Sequence, residues 1–194
     1  MKIFIHPNSP FITTDTRTKR WAIPYHFECI NGRIGVLLEN NYQSLKNKSI
    51  LDVGSHTGIF SWAALQLGAK FVHGIDVEER TINRCMEVFL EEEINPSSYI
   101  FQADNITNFL ERIDAKSFNT VFCFGVLYYM AEPLNLLKLM ARAAKETILI
   151  DTFTASYSAV QGKDAPEIYP HLTSQILNLP LMISCPTQSN KKDY

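Results

Sequence analysis

The chain has 194 residues, of which 46% are apolar and 20% are charged, and its formal net charge at pH 7 is −2. This length is sufficient for one domain with a sizeable buried core, and the composition is that of an ordinary soluble globular protein. The near-neutral charge excludes a strong global basic field, so nothing in the overall charge favours a nucleic-acid-binding protein.

The cysteine spacing and the length of the apolar runs indicate the cellular compartment, whether a metal is bound and whether the chain spans a membrane. Cys29, Cys85, Cys123 and Cys185 form neither a CxxC pair nor a zinc-like spacing. We therefore expect reduced thiols, no bound metal and a cytoplasmic location. The sequence contains no apolar run of the roughly 18 residues that a membrane helix needs, so we expect no membrane span.

Residues 1–47 form an N-terminal segment, and apolar positions recur at helical spacing over 25–41. The chain then alternates between apolar strand candidates and helical stretches. The predicted strands are 49–53, 70–76, 99–103, 119–125 and 147–151, and the helices between them are 58–67, 78–92, 105–113 and 132–144. This order predicts an α/β fold with a doubly wound, mostly parallel sheet and helices on both faces, over a core of residues 48–152.

Residues 153–194 continue this pattern poorly, apart from one short strand candidate near 181–184. We interpret them as a C-terminal extension that leaves the sheet incomplete. Two explanations stay open at this point: the fold is trimmed, or the sequence is a piece of a longer chain.

Three acidic residues follow three consecutive predicted strands. Asp52, Asp76 and Asp104 stand at the carboxyl ends, where open α/β sheets bind ligands. A glycine turn, Gly54-Ser55-His56-Thr57-Gly58, follows the first of them. Asp76, 18 positions beyond Gly58, can accept hydrogen bonds from ribose hydroxyls. Asp52, at the turn itself, would repel a phosphate. Asp104 can accept a hydrogen bond from an exocyclic adenine amine, so the pattern predicts a cofactor with an adenosine and no phosphate.

His56 occupies the position at which a dinucleotide-binding turn has its second glycine. That glycine lets the backbone approach a pyrophosphate, and a cofactor without one does not need it. Histidine is enriched among the non-glycine residues at positive φ, so we expect the turn to survive. This substitution disfavours a nicotinamide-dependent oxidoreductase.

Taken together in this order, "ILDVGSHTG", "VHGIDVEE", "FQADNIT" and "FNTVFCFGVLYYM" resemble the first four motifs of class I S-adenosylmethionine-dependent methyltransferases, and the sheet resembles their Rossmann-like core. The resemblance implies S-adenosylmethionine as cofactor and a lid role for residues 1–47. It implies cofactor contacts from four stretches: Asp52, Gly54, Ser55, His56, Thr57 and Gly58; Asp76 and Val77; Asp104, Asn105 and Ile106; and Phe124 and Gly125. By this likeness the first stretch surrounds the methionine part, the second the ribose, the third the adenine and the last the sulfonium.

The fourth motif is most similar to the branch that contains the tRNA wobble-uridine carboxymethyltransferase, whose run is GVLYHR-like. Residues 125–128 match that run, but Tyr129 and Met130 replace its histidine and arginine. A carboxylated donor group needs a basic partner. The departure therefore favours transfer of a plain methyl group.

Tyr128 and Tyr129 follow the fourth strand and are the predicted catalytic residues, as groups that orient the acceptor. The low net charge favours a small-molecule acceptor over tRNA. Two alternatives remain: a tRNA uridine methyltransferase-like enzyme, and a non-catalytic module that only binds S-adenosylmethionine. The sequence does not identify the acceptor or the oligomeric state.

Overall fold

The computed structural model describes residues 2–12 and 26–152, and the account below concerns these residues. Five strands form one sheet. They are β1 (Ser49–Val53), β2 (Phe71–Asp76), β3 (Tyr99–Ala103), β4 (Phe118–Phe124) and β5 (Ala144–Asp151). Their order across the sheet is β3-β2-β1-β4-β5, and every neighbouring pair is parallel. The direction of the strand order reverses between β1 and β4, which is where such sheets bind ligands.

Five α-helices accompany the strands in the described ranges. They are α1 (Phe27–Ile34), α2 (Ile59–Gln66), α3 (Glu79–Glu91), α4 (Ile106–Arg112) and α5 (Pro133–Ala143). Short 3₁₀ turns lie at Tyr42–Ser44, Pro96–Ser98 and Leu127–Tyr129. The helix predicted over 25–41 is shorter than expected, because α1 passes into a π-helical turn over Gly35–Glu39. The predicted strand over 147–151 is longer, since β5 begins at Ala144.

The buried residues form two clusters, one on each face of the sheet. On one face α1, α2 and α3 cover side chains such as Ile50, Val72 and Phe122. On the other face α4 and α5 cover Leu51 and Val121, among others. Neighbouring residues of a strand point to opposite faces, so β1 contributes to both clusters. This arrangement confirms the predicted doubly wound α/β fold.

Residues 2–12 lie against the face that α1, α2 and α3 cover. Ile5 and Phe11 are buried in that cluster. The Asn31 side chain accepts a hydrogen bond from the Ile5 N–H at 2.7 Å and donates one to the Ile5 carbonyl at 2.9 Å. The Asn31 side chain thus satisfies both backbone polar groups of Ile5, as the backbone of a neighbouring strand would.

None of the helices described here has the length and apolar character that crossing a bilayer requires. The strand candidate near 181–184, and the C-terminal extension to which it belongs, lie outside the described residues.

Candidate functional site

The glycine turn leaves β1 and bends back over the end of β2. The N–H groups of Gly54 and Ser55 both donate to the Ile75 carbonyl, at 2.8 and 2.9 Å, and the Gly58 N–H donates to the Ser55 carbonyl at 2.8 Å. Gly54, His56 and Gly58 have φ values of +73°, +48° and +78°. The expectation that His56 adopts a positive φ is therefore confirmed.

Packing explains why glycine stands at both ends of the turn. A Cβ at Gly54 would lie 2.2 Å from Cγ2 of Val126, and a Cβ at Gly58 would lie 2.5 Å from Sγ of Cys85. Both distances are far below van der Waals contact, and both positions have left-handed φ values that favour glycine. The turn is therefore held between the loop after β4 and helix α3.

The Asp76 carboxylate fastens the turn to the end of β2. Its Oδ2 accepts a hydrogen bond from the His56 N–H at 3.0 Å, and its Oδ1 accepts one from the Glu78 N–H at 3.1 Å. A carboxylate oxygen accepts two hydrogen bonds, so each oxygen keeps capacity for a ligand hydroxyl. The neighbouring Val77 side chain is 50% exposed and provides an apolar surface beside this carboxylate.

Asp52 differs from the other strand-end acids because it is buried. Only 2% of the residue is exposed, and its Oδ2 accepts a hydrogen bond from the Ser61 hydroxyl of α2 at 2.6 Å. Burial raises the pKa of Asp52 to about 6, and the charge of Asp76 adds to this effect. The Ser61 hydrogen bond and the Arg33 charge oppose it. The strand-end pattern predicts all three carboxylates along the cleft edge, but Asp52 is instead buried against Ser61 of α2.

Asp104 lies next to Asp76, because its N–H donates to the Asp76 carbonyl at 2.9 Å. Its Oδ2 accepts hydrogen bonds from the Gln102 side chain and from Arg112 of α4. Both bonds use Oδ2, so Oδ1 of this carboxylate retains its acceptor capacity. Asn105 caps α4 by accepting a hydrogen bond from the Asn108 N–H, and Ile106 is buried.

Two further residues of the turn, Ser55 and Thr57, are buried. Among the described residues, the Ser55 hydroxyl has no hydrogen-bond partner. A buried polar atom without a partner is costly to folding and calls for an explanation, such as a ligand group that bonds to it.

The end of β4 brings Phe124, Gly125 and the two tyrosines together. Gly125 donates its N–H to the Asp151 carbonyl of β5 at 2.8 Å, and a Cβ built on Gly125 would lie 3.2 Å from the Tyr128 hydroxyl. The Tyr128 and Tyr129 rings have centroids 4.5 Å apart, and Tyr129 is 55% exposed. Phe124 is buried under Phe60 of α2, with centroids 5.1 Å apart.

Arg33 and Asp151 form an ion pair that sequence reasoning did not find. Arg33 donates from Nε to Oδ2 of Asp151 at 2.8 Å, and its Nη2 lies 2.7 Å from the same oxygen. The guanidinium also lies over the Phe60 ring, 4.6 Å from its centroid. The residues are 118 positions apart. Sequence placed Asp151 at the carboxyl end of the fifth predicted strand, but its partner Arg33 was only a basic residue beside the apolar positions of α1, which is also typical of a surface helix.

Comparisons with known proteins agree with this geometry. A family model described as "Methyltransferase domain" matches residues 44–178. The tRNA U34 carboxymethyltransferase of Campylobacter hominis is 26% identical over 154 residues, which are 77% of this chain and 50% of that protein. The chain thus spans about half the length of this curated relative.

Solved structures show the same fold at low identity. A SAM-dependent methyltransferase from Aquifex aeolicus matches with a TM-score of 0.54 and 16% identity, over 69% of this chain and 81% of its own. The cyclase SpnF matches with a TM-score of 0.54 and 17% identity, over 70% of this chain and 46% of its own. Because one of these two proteins is named a cyclase, the fold alone does not specify methyl transfer.

Proposed function

The chain belongs to the class I S-adenosylmethionine-dependent methyltransferases, and on this premise we propose that it binds S-adenosylmethionine and transfers the methyl group to an acceptor held beside Tyr128. The observation that carries the proposal is the Asp76 carboxylate at the carboxyl end of β2, which receives two backbone N–H groups and borders the turn after β1, the strand next to the reversal of the strand order. This position suits a ligand with a vicinal diol, as a ribose has.

The adenosine half of the cofactor fits the residues after β2 and β3. Asp76 accepts hydrogen bonds from the ribose hydroxyls, since both of its oxygens keep acceptor capacity. Oδ1 of Asp104 accepts from the adenine amine, and the exposed side chain of Val77 packs on the base. Asn105 and Ile106 bound the same pocket at the start of α4, where Ile106 contributes apolar surface.

The methionine half fits the glycine turn, from Gly54 to Gly58, and the end of β4. Asp52 and Asp76 are acidic groups near this turn, which suits the ammonium and sulfonium of the cofactor and disfavours a pyrophosphate. Asp52 is buried, so it acts through its field and through Ser61 rather than by lining the pocket. The backbone at Phe124 and Gly125 faces the sulfonium.

The residues around the reacting atoms align the acceptor and exclude water. When bound, S-adenosylmethionine would supply the methyl group for an in-line displacement that releases S-adenosylhomocysteine, and the residues here would contribute alignment of the acceptor. Tyr128 orients the acceptor through its hydroxyl, which lies on the Cβ side of Gly125. Tyr129 extends the same aromatic wall. Phe60 and Phe124 keep the region behind them apolar.

We propose that the N-terminal segment, through its described residues 26–47, takes part in this site as a cover. Support comes from α1, whose Arg33 reaches Asp151 and Phe60 at the carboxyl ends of the strands. We place the reaction in the cytoplasm because Cys29, Cys85 and Cys123 are free thiols.

We favour a small-molecule acceptor because the net charge of −2 gives little attraction for RNA. A specific observation supports tRNA as a second candidate: the relative from Campylobacter hominis is named a tRNA U34 carboxymethyltransferase. Met130 stands where that branch has an arginine, which supports a plain methyl group as the group transferred.

Calorimetry and labelled methyl transfer test the proposal in sequence. The full chain should bind S-adenosylhomocysteine and not NAD, and absence of S-adenosylhomocysteine binding would overturn the assignment of the cofactor. With tritium-labelled S-adenosylmethionine and cell extract, label should appear in the small-molecule fraction. Label in tRNA would establish the second candidate instead. Cofactor binding without label in any fraction would identify a non-catalytic module.

A further inference from the structure

The Arg33 guanidinium is engaged by Asp151 along one edge only. Its Nε and Nη2 both approach Oδ2 of Asp151, at 2.8 and 2.7 Å. These two nitrogens form the side edge of the guanidinium plane, and a guanidinium carries five N–H donors. The end formed by Nη1 and Nη2 is a second fork: Nη2 uses one of its two N–H groups toward Asp151, and Nη1 has no hydrogen bond or ion pair to the described part of the chain.

One nitrogen of this fork, Nη2, lies at the place proposed for the acceptor. A Cβ built on Gly125 would be 3.2 Å from the Tyr128 hydroxyl and 4.0 Å from Nη2 of Arg33. Tyr128 and Arg33 therefore flank one small space above Gly125. Only 20% of the Arg33 side chain is exposed, and the Phe60 ring covers one face of the guanidinium. Its charge is thus poorly screened by solvent, and its orientation is fixed.

A guanidinium beside the proposed sulfonium position requires an explanation, because two cations repel each other. Asp151 balances the formal charge of Arg33 but engages only the side edge of the guanidinium. An anion bound at the second fork would add a negative charge that offsets the sulfonium when the cofactor is present. The fork has the spacing that carboxylates match with two parallel hydrogen bonds.

We propose that Arg33 determines acceptor specificity by binding a carboxylate on a small-molecule acceptor, with Tyr128 beside the atom that is methylated. This inference rests on the proposed methyltransferase function and gives it a substrate class. Asp151 is a positioning residue, which holds the side edge of the guanidinium so that the end fork faces the site.

The test uses a carboxylate probe on the full chain saturated with S-adenosylhomocysteine. Dissociation constants for benzoate and for its neutral isostere benzamide are measured by ligand-observed NMR. The native chain should bind benzoate about tenfold more tightly than benzamide. Arg33→Gln should remove this preference and leave the affinity for S-adenosylhomocysteine unchanged. Arg84→Gln, which alters an exposed arginine paired with Glu87 and Glu91 on α3, should keep the preference.

The variant Asp151→Asn distinguishes a role of Arg33 in acceptor specificity from a purely structural role of the ion pair. The amide oxygen of Asn can still accept the hydrogen bond from Nε that positions the guanidinium, while the competing negative charge is removed, so benzoate should bind as tightly as to the native chain or more tightly. If the ion pair only fastens α1 to the sheet, Arg33→Gln and Asp151→Asn should weaken benzoate binding equally, and the proposal is wrong. Circular dichroism melting of both variants shows whether either one fails to fold.

Three further outcomes have distinct meanings. Equal affinity of the native chain for benzoate and benzamide overturns the carboxylate assignment while leaving the proposed function intact. Absence of S-adenosylhomocysteine binding overturns the proposed function itself. A sulfonium analogue with a carboxylate on the transferred group provides the last comparison. If Arg33→Gln affects only its binding, the carboxylate belongs to the donor and the acceptor proposal fails.

Discussion

The N–H of His56 donates a hydrogen bond of 3.0 Å to Oδ2 of Asp76, joining the turn after β1 to the end of β2 across 20 positions. The bond uses the backbone of His56, which is at φ +48°. The turn therefore needs a residue that tolerates this φ and keeps its N–H, but it does not need a glycine. Asp76 therefore has two roles: it holds the glycine turn in place, and it belongs to the proposed ribose site.

Replacing Asp76 should impair both tasks. In Asp76→Ala the His56 and Glu78 N–H groups lose their acceptor, so the free energy of unfolding should fall by about 1–3 kcal/mol. The affinity for S-adenosylhomocysteine should fall by about tenfold to a hundredfold, because charged hydrogen bonds to the ribose are lost. Calorimetry and urea unfolding measure the two effects. Asp114→Ala, which replaces an exposed acidic residue, is the control. An unchanged affinity of Asp76→Ala for S-adenosylhomocysteine would contradict the proposed ribose site.

Two glycine-to-alanine substitutions should act in opposite directions. Gly54→Ala places a Cβ 2.2 Å from Val126 at φ +73°, and should destabilise the chain by about 2–4 kcal/mol. Gly32→Ala in α1 meets nothing within 4 Å and should stabilise it by about 0.5–1 kcal/mol. Urea unfolding compares them. In a double-mutant cycle, Val126→Ala should relieve part of the Gly54→Ala cost; strictly additive effects would show that this clash is not the cause.

The buried carboxyl of Asp52 should make stability depend on pH. Its pKa is raised from 3.8 to about 6, so between these values the folded chain binds more protons than the unfolded chain. The free energy of unfolding therefore decreases as pH rises from about 4 to about 6, by an amount on the order of 2–3 kcal/mol. Asp52→Asn keeps an acceptor for the Ser61 hydroxyl and removes the titration.

Urea unfolding at pH 4.5 and pH 7 tests this dependence. From pH 4.5 to pH 7 the free energy of unfolding of the native chain should fall relative to that of Asp52→Asn. Subtracting the two values removes the contribution of the titratable groups that both chains share. A parallel pH dependence in both chains would show that Asp52 titrates normally.

The sequence was informative where the signal was local. Strands β1 and β3 have the predicted bounds, and α4 lies within the predicted range, because runs of apolar β-branched residues, glycine turns and cap residues are short-range features. The adjacency of Asp76 and Asp104 also followed, since the carboxyl ends of parallel strands share one edge of the sheet.

Contacts between distant parts of the chain were not predictable in the same way. Asp52 is buried because Ser61 of α2 packs over it, and a strand-end pattern does not state which acid a helix will cover. The Arg33–Asp151 pair joins α1 to β5; Asp151 stands at a predicted strand end, but Arg33 looks like an ordinary surface charge in sequence. Tertiary packing, rather than local propensity, determines both arrangements.

The N-terminal segment offers a test of whether residues 2–12 are part of the folded domain. Phe11 is 2% exposed and contacts Trp62 and Phe89, with centroids 5.4 and 5.8 Å away, whereas Phe4 is 68% exposed. Phe11→Ala should therefore destabilise the chain by about 3–5 kcal/mol, while Phe4→Ala should change stability by less than about 0.5 kcal/mol. Thermal and urea unfolding give both values. Equal, small effects at the two positions would mean that this segment does not pack on α2 and α3 in solution.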